Sequence, residues 1–390
     1  MRRWIVFAAA LAGCIGGPDE LERETGAVAE GECRWPVEVV VWDSKDWMRL
    51  GRQFAADPSP CADYYLSIPG VVGDKTRLRQ GAAEDIRALG PELHAMAEFH
   101  WTTWSRWVES TGNTWYEAGR EFRRRMVEAG YDTAAGDTWA INELPSSMRK
   151  NTAGARTHAR NAVRGLYEGD GEPLKGAVFI VGMGQGTTNF SVYKPQLEQW
   201  LCDADFWVDM NRYVRWWGQE VYADPERSCF DAQVGTRSPA INEFIQHVPR
   251  LAAAGPSCAN TAQSYLDRAY VPLLGAAWQQ ATGFGDTRIT LDQMKAHVST
   301  QIYAARAWAN GHAYPDGRIG FAWAPGDDGP SEPEDLDELA ARMASAVSHA
   351  YGDGDTTAAH ACSPSGAYTF CGCRIPGAAR NTGWSTFSRW

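Results

Sequence analysis

The residues of this chain that could do chemistry stand at the ends of short apolar runs. Asp43 follows Trp42. Glu98 and His100 close the run that starts at His94, and Trp101 comes next. Asn142 and Glu143 end the run from Thr138. Asp209 ends a further run, with Tyr213 and Glu220 shortly beyond it, and Trp323 closes the last. Carboxyl groups brought together can divide acid–base work, one held protonated and one ionised, when their surroundings push their pKa values apart. Glu143 is the first candidate. Asp209 and Glu98 are the next catalytic candidates, and Glu220 and Asp43 are further choices for a second carboxylate. Other chemistries lack their signatures: the chain has no GxSxG nucleophile elbow and no HExxH zinc motif. The glycine-rich stretch Gly182-Met183-Gly184-Gln185-Gly186 lacks the Lys-Ser/Thr of a phosphate loop and reads as a tight turn. The eight His are scattered without ligand spacing, so neither a metal nor a cofactor is expected.

These groups need strands to place them. Runs rich in β-branched and aromatic residues occur at 37–42, 64–68, 94–100, 138–143, 177–181, 206–210 and 319–323, and most are followed by a helical pattern. Helices are expected at 115–129, 153–167 and 195–202, and from the capping-box pair Ser331 and Glu334 through Met343 towards His349. An eighth strand is expected at 287–291, with helical insertions at 240–254 and 262–279. Repeating strand–helix units make either an open doubly wound sheet or a closed barrel. No GxGxxG follows the first strand, which removes the main marker of the dinucleotide-binding sheet. The expected fold is an α/β (β/α)8-type (TIM) barrel over 35–352, irregular in its last third. In such a barrel the working residues lie at the C-terminal strand ends, where the candidates above fall.

Asn142-Glu143 at the end of strand four, His100 at the end of strand three and Trp323 on the last strand together resemble the large clan of retaining glycoside hydrolases built on (β/α)8 barrels. The resemblance implies that Glu143 is the general acid/base, that Asn142 contacts the sugar 2-hydroxyl and that Trp323 forms part of a sugar platform. His100, Trp101, Tyr213, Asp43 and Glu220 are the further candidates for substrate contact. The carboxyl pair of such enzymes lies about 5–5.5 Å apart for retention and about 6.5–9.5 Å apart for inversion. The chain departs from the clan at strand seven, where the clan carries its nucleophile Glu. No Glu occurs between Glu243 and Glu332. A carbohydrate-binding or structural surface protein on an enzyme-like barrel therefore stays open beside the hydrolase.

Eighteen Trp is a high count for 390 residues. Indole faces stack on sugar rings, and Trp101, Trp104 and Trp107, three apart, would line one side of a short helix. The alternative is that Trp42, Trp216, Trp217 and the rest fill a large core.

The net charge of −11 disfavours nucleic acid. The basic run from Arg120 to Arg125 reads as a solvated helix face. At the start of the chain, Met1-Arg2-Arg3 precedes a short apolar stretch and then Leu11-Ala12-Gly13-Cys14. This resembles the bacterial lipobox and implies export, lipidation of Cys14 and a membrane-anchored or secreted envelope protein. Residues 15–34 read as a flexible tether. Removing Cys14 from nine Cys leaves eight, an even number that suits disulfides outside the cytoplasm. Residues 353–390 read as a disulfide-pinned tail, with Cys371 and Cys373 structural. The oligomeric state is not legible.

Overall fold

The computed structural model describes residues 36–42, 47–59, 61–142, 144, 153–169, 171–180, 199–221, 257–276, 291, 294–295, 298–299, 301–302, 305, 317–322 and 333–353. The chain divides into two units, Met1–Glu32 and Cys33–Trp390. Every described residue belongs to the second. The expected signal and tether, the Gly182–Gly186 stretch and residues 354–390 lie outside the described residues.

Eight strands alternate with helices: β1 (Val37–Trp42), α1 (Trp47–Ala56), β2 (Ala62–Ile68), α2 (Ala82–Arg87), β3 (Leu93–His100), α3 (Trp101–Thr111), α4 (Trp115–Glu128), β4 (Thr138–Asn142), α5 (Ala153–Glu168), β5 (Gly176–Ile180), α6 (Ala204–Tyr213), β6 (Val214–Val221), α7 (Asn260–Ala269), β7 (Tyr270–Gly275), β8 (Arg318–Ala322) and α8 (Pro333–Val347). Each strand pairs in parallel with the next, and β8 returns to β1, closing a barrel. The (β/α)8 architecture expected from the sequence is what the chain forms.

The register gives the barrel its interior. From Val40 it crosses to Tyr65 and His94, steps up to Met96 and crosses to Thr138. It steps to Ala140 and crosses to Ala177 and Trp216. It then steps to Gly218, crosses to Val271, steps to Leu273 and returns through Gly320 to Val40. Four steps of two residues make a stagger of eight, the shear of a TIM barrel. Inward side chains therefore fall into layers of four from alternate strands. One layer is Val40, Met96, Ala177 and Val271. The next towards the C-terminal end is Ser67, Ala140, Gly218 and Gly320, all small. Above it lie Trp42, Glu98, Phe179 and Leu273. The small layer makes room for the large one: the rings of Trp42 and Phe179 meet at 4.5 Å between centroids. A Cβ on Gly218 would overlap the Phe179 ring, and one on Gly320 would overlap Leu273.

The N-terminal mouth is closed by charge. Glu38 accepts from Trp216 Nε1 at 2.7 Å and from Arg318 at 3.1 Å, and it pairs with Arg215. Arg215 is an extra residue in the ladder, because Gly176 faces Val214 and Ala177 faces Trp216. The resulting bulge lets Arg215 lie over the Trp216 ring, 4.3 Å from its centroid.

Three expectations are corrected. Residues 206–210 are helical, part of α6. Asp203 caps it by accepting from Phe206 N–H at 3.0 Å, and Phe206, Trp207, Met210 and Tyr213 are buried at helical spacing while Val208 is 54% exposed. The sixth strand starts directly after it, at Val214. The missing strand is Tyr270–Gly275 and not 287–291, and Leu291 is helical. The expected helical insertion at 262–279 therefore ends at Ala269, and the apolar residues after it form the strand. In the basic run, Arg123 is buried and donates to the Leu166 carbonyl at 2.8 Å, so this residue ties α4 to α5 rather than facing water.

Cys202 and Cys258, just before α6 and α7, form a disulfide across 56 residues. Cys61 is disulfide-bonded as well. In the chain-entropy account a loop of that size is worth about 4 kcal/mol. Replacing Cys202 and Cys258 together by Ser should therefore lower the unfolding free energy by about that amount in a denaturant titration. Gly320→Val should overpack the interior and cost about 1–3 kcal/mol in the same titration.

Candidate functional site

The C-terminal rim is where a (β/α) barrel does its work. Its floor here is the layer of Trp42, Glu98, Phe179 and Leu273. Directly above, β3 ends in His100 and β4 ends in Asn142, and the two residues are partners in the ladder. Glu143 follows Asn142 in the chain. Glu220 is the penultimate residue of β6 and pairs with Leu273 of β7. Asp43 follows the last residue of β1, and Trp323 follows the last residue of β8. Asp43, Glu143 and Trp323 lie outside the described residues, as do the side chains of Asn142 and Glu220.

His100 is both the last residue of β3 and the N-cap of α3. Its Nδ1 accepts the Thr103 N–H at 3.3 Å and lies 2.9 Å from Thr103 Oγ1. An imidazole whose Nδ1 accepts carries its proton on Nε2. Burial, followed by the positive charges of Lys75 and Arg106, lowers its pKa from 6.5 to about 4. His100 is thus a neutral ring at neutral pH, fixed by its own helix, with one N–H able to donate to a hydroxyl. Thr103 escaped the sequence reading because His is not among the usual N-cap residues, so nothing in the sequence marks His100 as the cap of α3.

Glu98, two residues before His100 on β3 and in register with Ala140 of the barrel interior, faces inward. It has no exposed surface. It stands in the floor under the strand ends rather than at the rim itself.

Three other candidates lie elsewhere. Asp209 is on α6, where it pairs with Arg160 of α5. That is a contact within the outer helical ring, and it follows from 206–210 being helical. Tyr213 ends α6 at the opposite end of the barrel, 5% exposed, with its ring 5.1 Å from Tyr167. Trp101 starts α3 and stacks on Trp115 at 4.0 Å and 10°. Trp104 is fully buried between Phe99 at 5.1 Å and Phe122 at 5.7 Å, and Trp107 packs beside it. The threefold spacing of these indoles therefore marks the face that α3 packs on α4. Trp42 and Trp216 fill the barrel, while Trp217 lies between barrel and helices among Trp200, Phe206 and Trp207.

The departure at strand seven persists with the strand correctly located. β7 ends at Gly275, and no Glu lies between Glu243 and Glu332. Among the described residues, no group of three or more His, Cys, Asp or Glu could hold a metal ion.

No family model matches the chain, and no curated protein is similar to it. Among solved structures the fold is similar to that of a glucosidase from Croceicoccus marinus, with a TM-score of 0.43 and 10% sequence identity. The match covers 78% of this chain and 66% of that one, so the chain spans just under two thirds of the glucosidase's length. At this identity the likeness is one of architecture.

The state of His100 is open to measurement. Its folded pKa lies below its unfolded value, so the unfolded chain binds the proton first. The stabilisation is complete above about pH 6.5 and is lost as pH falls towards about 4. After discount for partial exposure, the wild-type protein should lose about 1–2 kcal/mol more than His100→Asn across that window. Urea titrations at several pH values would read the difference, and parallel pH profiles for the two proteins would refute it.

Proposed function

We propose that this chain is an envelope-anchored protein of the glycoside hydrolase type that acts on a polysaccharide, with Glu143 as general acid/base and Glu220 as the second carboxylate. The observation that supports this reading most is the pairing of His100 with Asn142 at the ends of β3 and β4. It sets a neutral N–H donor beside the strand end that leads into Glu143. With Asp209 in the helical ring and Glu98 in the floor, Glu220 and Asp43 are the second carboxylates left from the sequence reading. Strands lie about 4.8 Å apart, so β4 and β6 are separated by roughly 10 Å of barrel wall. Two Glu side chains rising from those strand ends can bring their carboxyls to within the roughly 5–10 Å that glycoside hydrolysis uses. Asp43 starts from β1, on the other side of the barrel. Asn142 and His100 would hold sugar hydroxyls and Trp323 would supply the platform. Cys14 would carry the lipid.

The test is release of reducing ends from a panel of envelope and plant polysaccharides. Glu143→Gln and Glu220→Gln should each lower the rate by roughly 10²–10⁴-fold and leave retention on the same polysaccharide intact. A wild-type protein that is retained but releases nothing would be a carbohydrate-binding barrel. A full loss with Glu143→Gln beside an unaffected Glu220→Gln would move the second carboxylate to another strand. No retention and no release on any polysaccharide would leave a structural surface protein.

A further inference from the structure

The rim carries a charge that the proposed activity leaves unused. Between β2 and α2 the chain makes a braced loop. Val71 N–H donates to the Arg77 carbonyl at 2.9 Å, Asp74 N–H to the Val71 carbonyl at 3.0 Å and Arg77 N–H to the Asp74 carbonyl at 3.0 Å. Arg79 reaches back to the Pro69 carbonyl at 3.2 Å, and Arg125 of α4 donates to the Thr76 carbonyl at 2.8 Å. At Gly70 the two limbs of the loop touch: a Cβ there would lie 2.7 Å from the Lys75 carbonyl oxygen and 2.8 Å from its Cα. Gly70 stands two residues past Ile68, the ladder partner of Ala97. Lys75 is thereby fixed at the height of the β3 end, where His100 closes the strand.

Lys75 is half-buried, and Arg106 on α3 is exposed. Among the described residues neither side chain has a hydrogen bond or an ion pair. The acids of the same loop and helix are turned to other groups. Asp74 Oδ1 accepts from the Thr76 N–H at 3.1 Å and from its hydroxyl at 2.7 Å, and Glu109 accepts from the Ser105 hydroxyl at 3.3 Å. Burial first, and then the charges of Lys75 and Arg106, keep the His100 ring neutral. The charges that reach the ring are thus both positive. An ammonium held half out of water beside a second cation is unfavourable until an anion joins them. The brace fixes its backbone before any ligand arrives, so an anion would lose little to ordering. His100 adds a neutral N–H donor alongside, which suits a sugar ring that bears hydroxyls and a negative group together. We infer that Lys75, with Arg106, forms a subsite for the negatively charged substituent of a sugar bound at His100, so that the polysaccharide acted on is an anionic one. The inference rests on the glycoside hydrolase reading of the rim and names its substrate class. A ring carboxylate and a sulfate ester share this chemistry.

The test is retention of the full chain in affinity gels that contain polygalacturonate, alginate or chondroitin sulfate, each beside its carboxyl-reduced or desulfated form, with neutral dextran and amylose as further lanes. Retention should follow the charged form of a polymer and be lost on its neutral form. Retention by the carboxylated polymers makes the substituent a uronate, and retention that depends on sulfate makes it a sulfate ester; either supports the subsite. Lys75→Gln should weaken retention by roughly tenfold or more, the weight of a charge-assisted hydrogen bond. Lys75→Arg should keep most of it. Arg77→Gln, exposed in the same loop, should leave it intact. The thermal midpoint of Lys75→Gln should match that of the wild type, and on a polymer that is cleaved this variant should raise KM and leave kcat unchanged. Retention shared equally by charged and neutral forms, or undiminished in Lys75→Gln, overturns the inference and leaves the hydrolase reading standing. So does an equal loss with Arg77→Gln, which would be an effect of net charge. A lowered midpoint in Lys75→Gln would assign the ammonium to a carboxylate of the chain itself and also overturns it. Retention on no polysaccharide, charged or neutral, overturns both.

Discussion

The filling of the barrel interior is the constraint on which the rest of this structure depends. Eight strands staggered by eight residues enclose a fixed volume, and side chains must fill it at close to crystalline density. This chain fills it unevenly. Trp42 and Phe179 reach across one layer until their rings meet, and Tyr65 and Trp216 meet lower down with 4.6 Å between ring centroids. Rings of that size leave no room between them, so Ser67, Ala140, Gly218 and Gly320 occupy the intervening positions. The glycines of β6 and β8 thus make room for Phe179 and Leu273, and the height of the floor beneath the rim follows from that packing.

The two ends of the barrel then diverge for physical reasons. At the N-terminal end the last turns of α6 and α7 bring Arg212 and Arg268 next to the negative ends of their helices. The bulge at Arg215 and the start of β8 add two more cations around Glu38. That arrangement closes the mouth and needs no substrate to explain it. At the C-terminal end the polar groups are held differently. His100 is locked by Thr103 on the helix it caps, and its neutral state comes from burial and from Lys75 and Arg106. A ring kept uncharged and oriented in advance has little to reorganise when a hydroxyl arrives, which is what a polar contact in a binding cleft needs.

Legibility in the sequence followed the period of the side chains. β1 to β4 stood out because their apolar runs are bounded by polar turns, and the barrel followed from their repetition. Where a helix leads into a strand with no turn between them, as at Tyr213–Val214 and Ala269–Tyr270, neither boundary shows. The run Phe206-Trp207-Val208-Asp209-Met210 is short and apolar, which suits either period, and only the exposure of Val208 separates them. That one misreading carried Asp209 and Tyr213 into the site. The indoles misled for a related reason. Trp101 and Trp104 mark a helix face, and whether such a face meets sugar or another helix depends on α4, fourteen residues whose own apolar stripe is interrupted by arginines. His100 and Asn142 were legible because a strand end is a place in the fold as well as in the sequence.

The absence of Glu from β7 bears on the chemistry through the layers. β7 stands opposite β3 in an eight-stranded barrel, and the floor layer places Leu273 of β7 against Glu98 of β3. The clan that this chain resembles keeps a carboxylate at the end of β7. Here that strand ends in Leu274-Gly275, while the carboxyl on the opposite wall lies one pleat deeper and is shut off from solvent. In the proposed reading the two carboxyls stand at the ends of β4 and β6, on either side of β5 and above this closed floor, and a carboxyl pair must differ in its surroundings before one member can act as acid and the other as nucleophile or base.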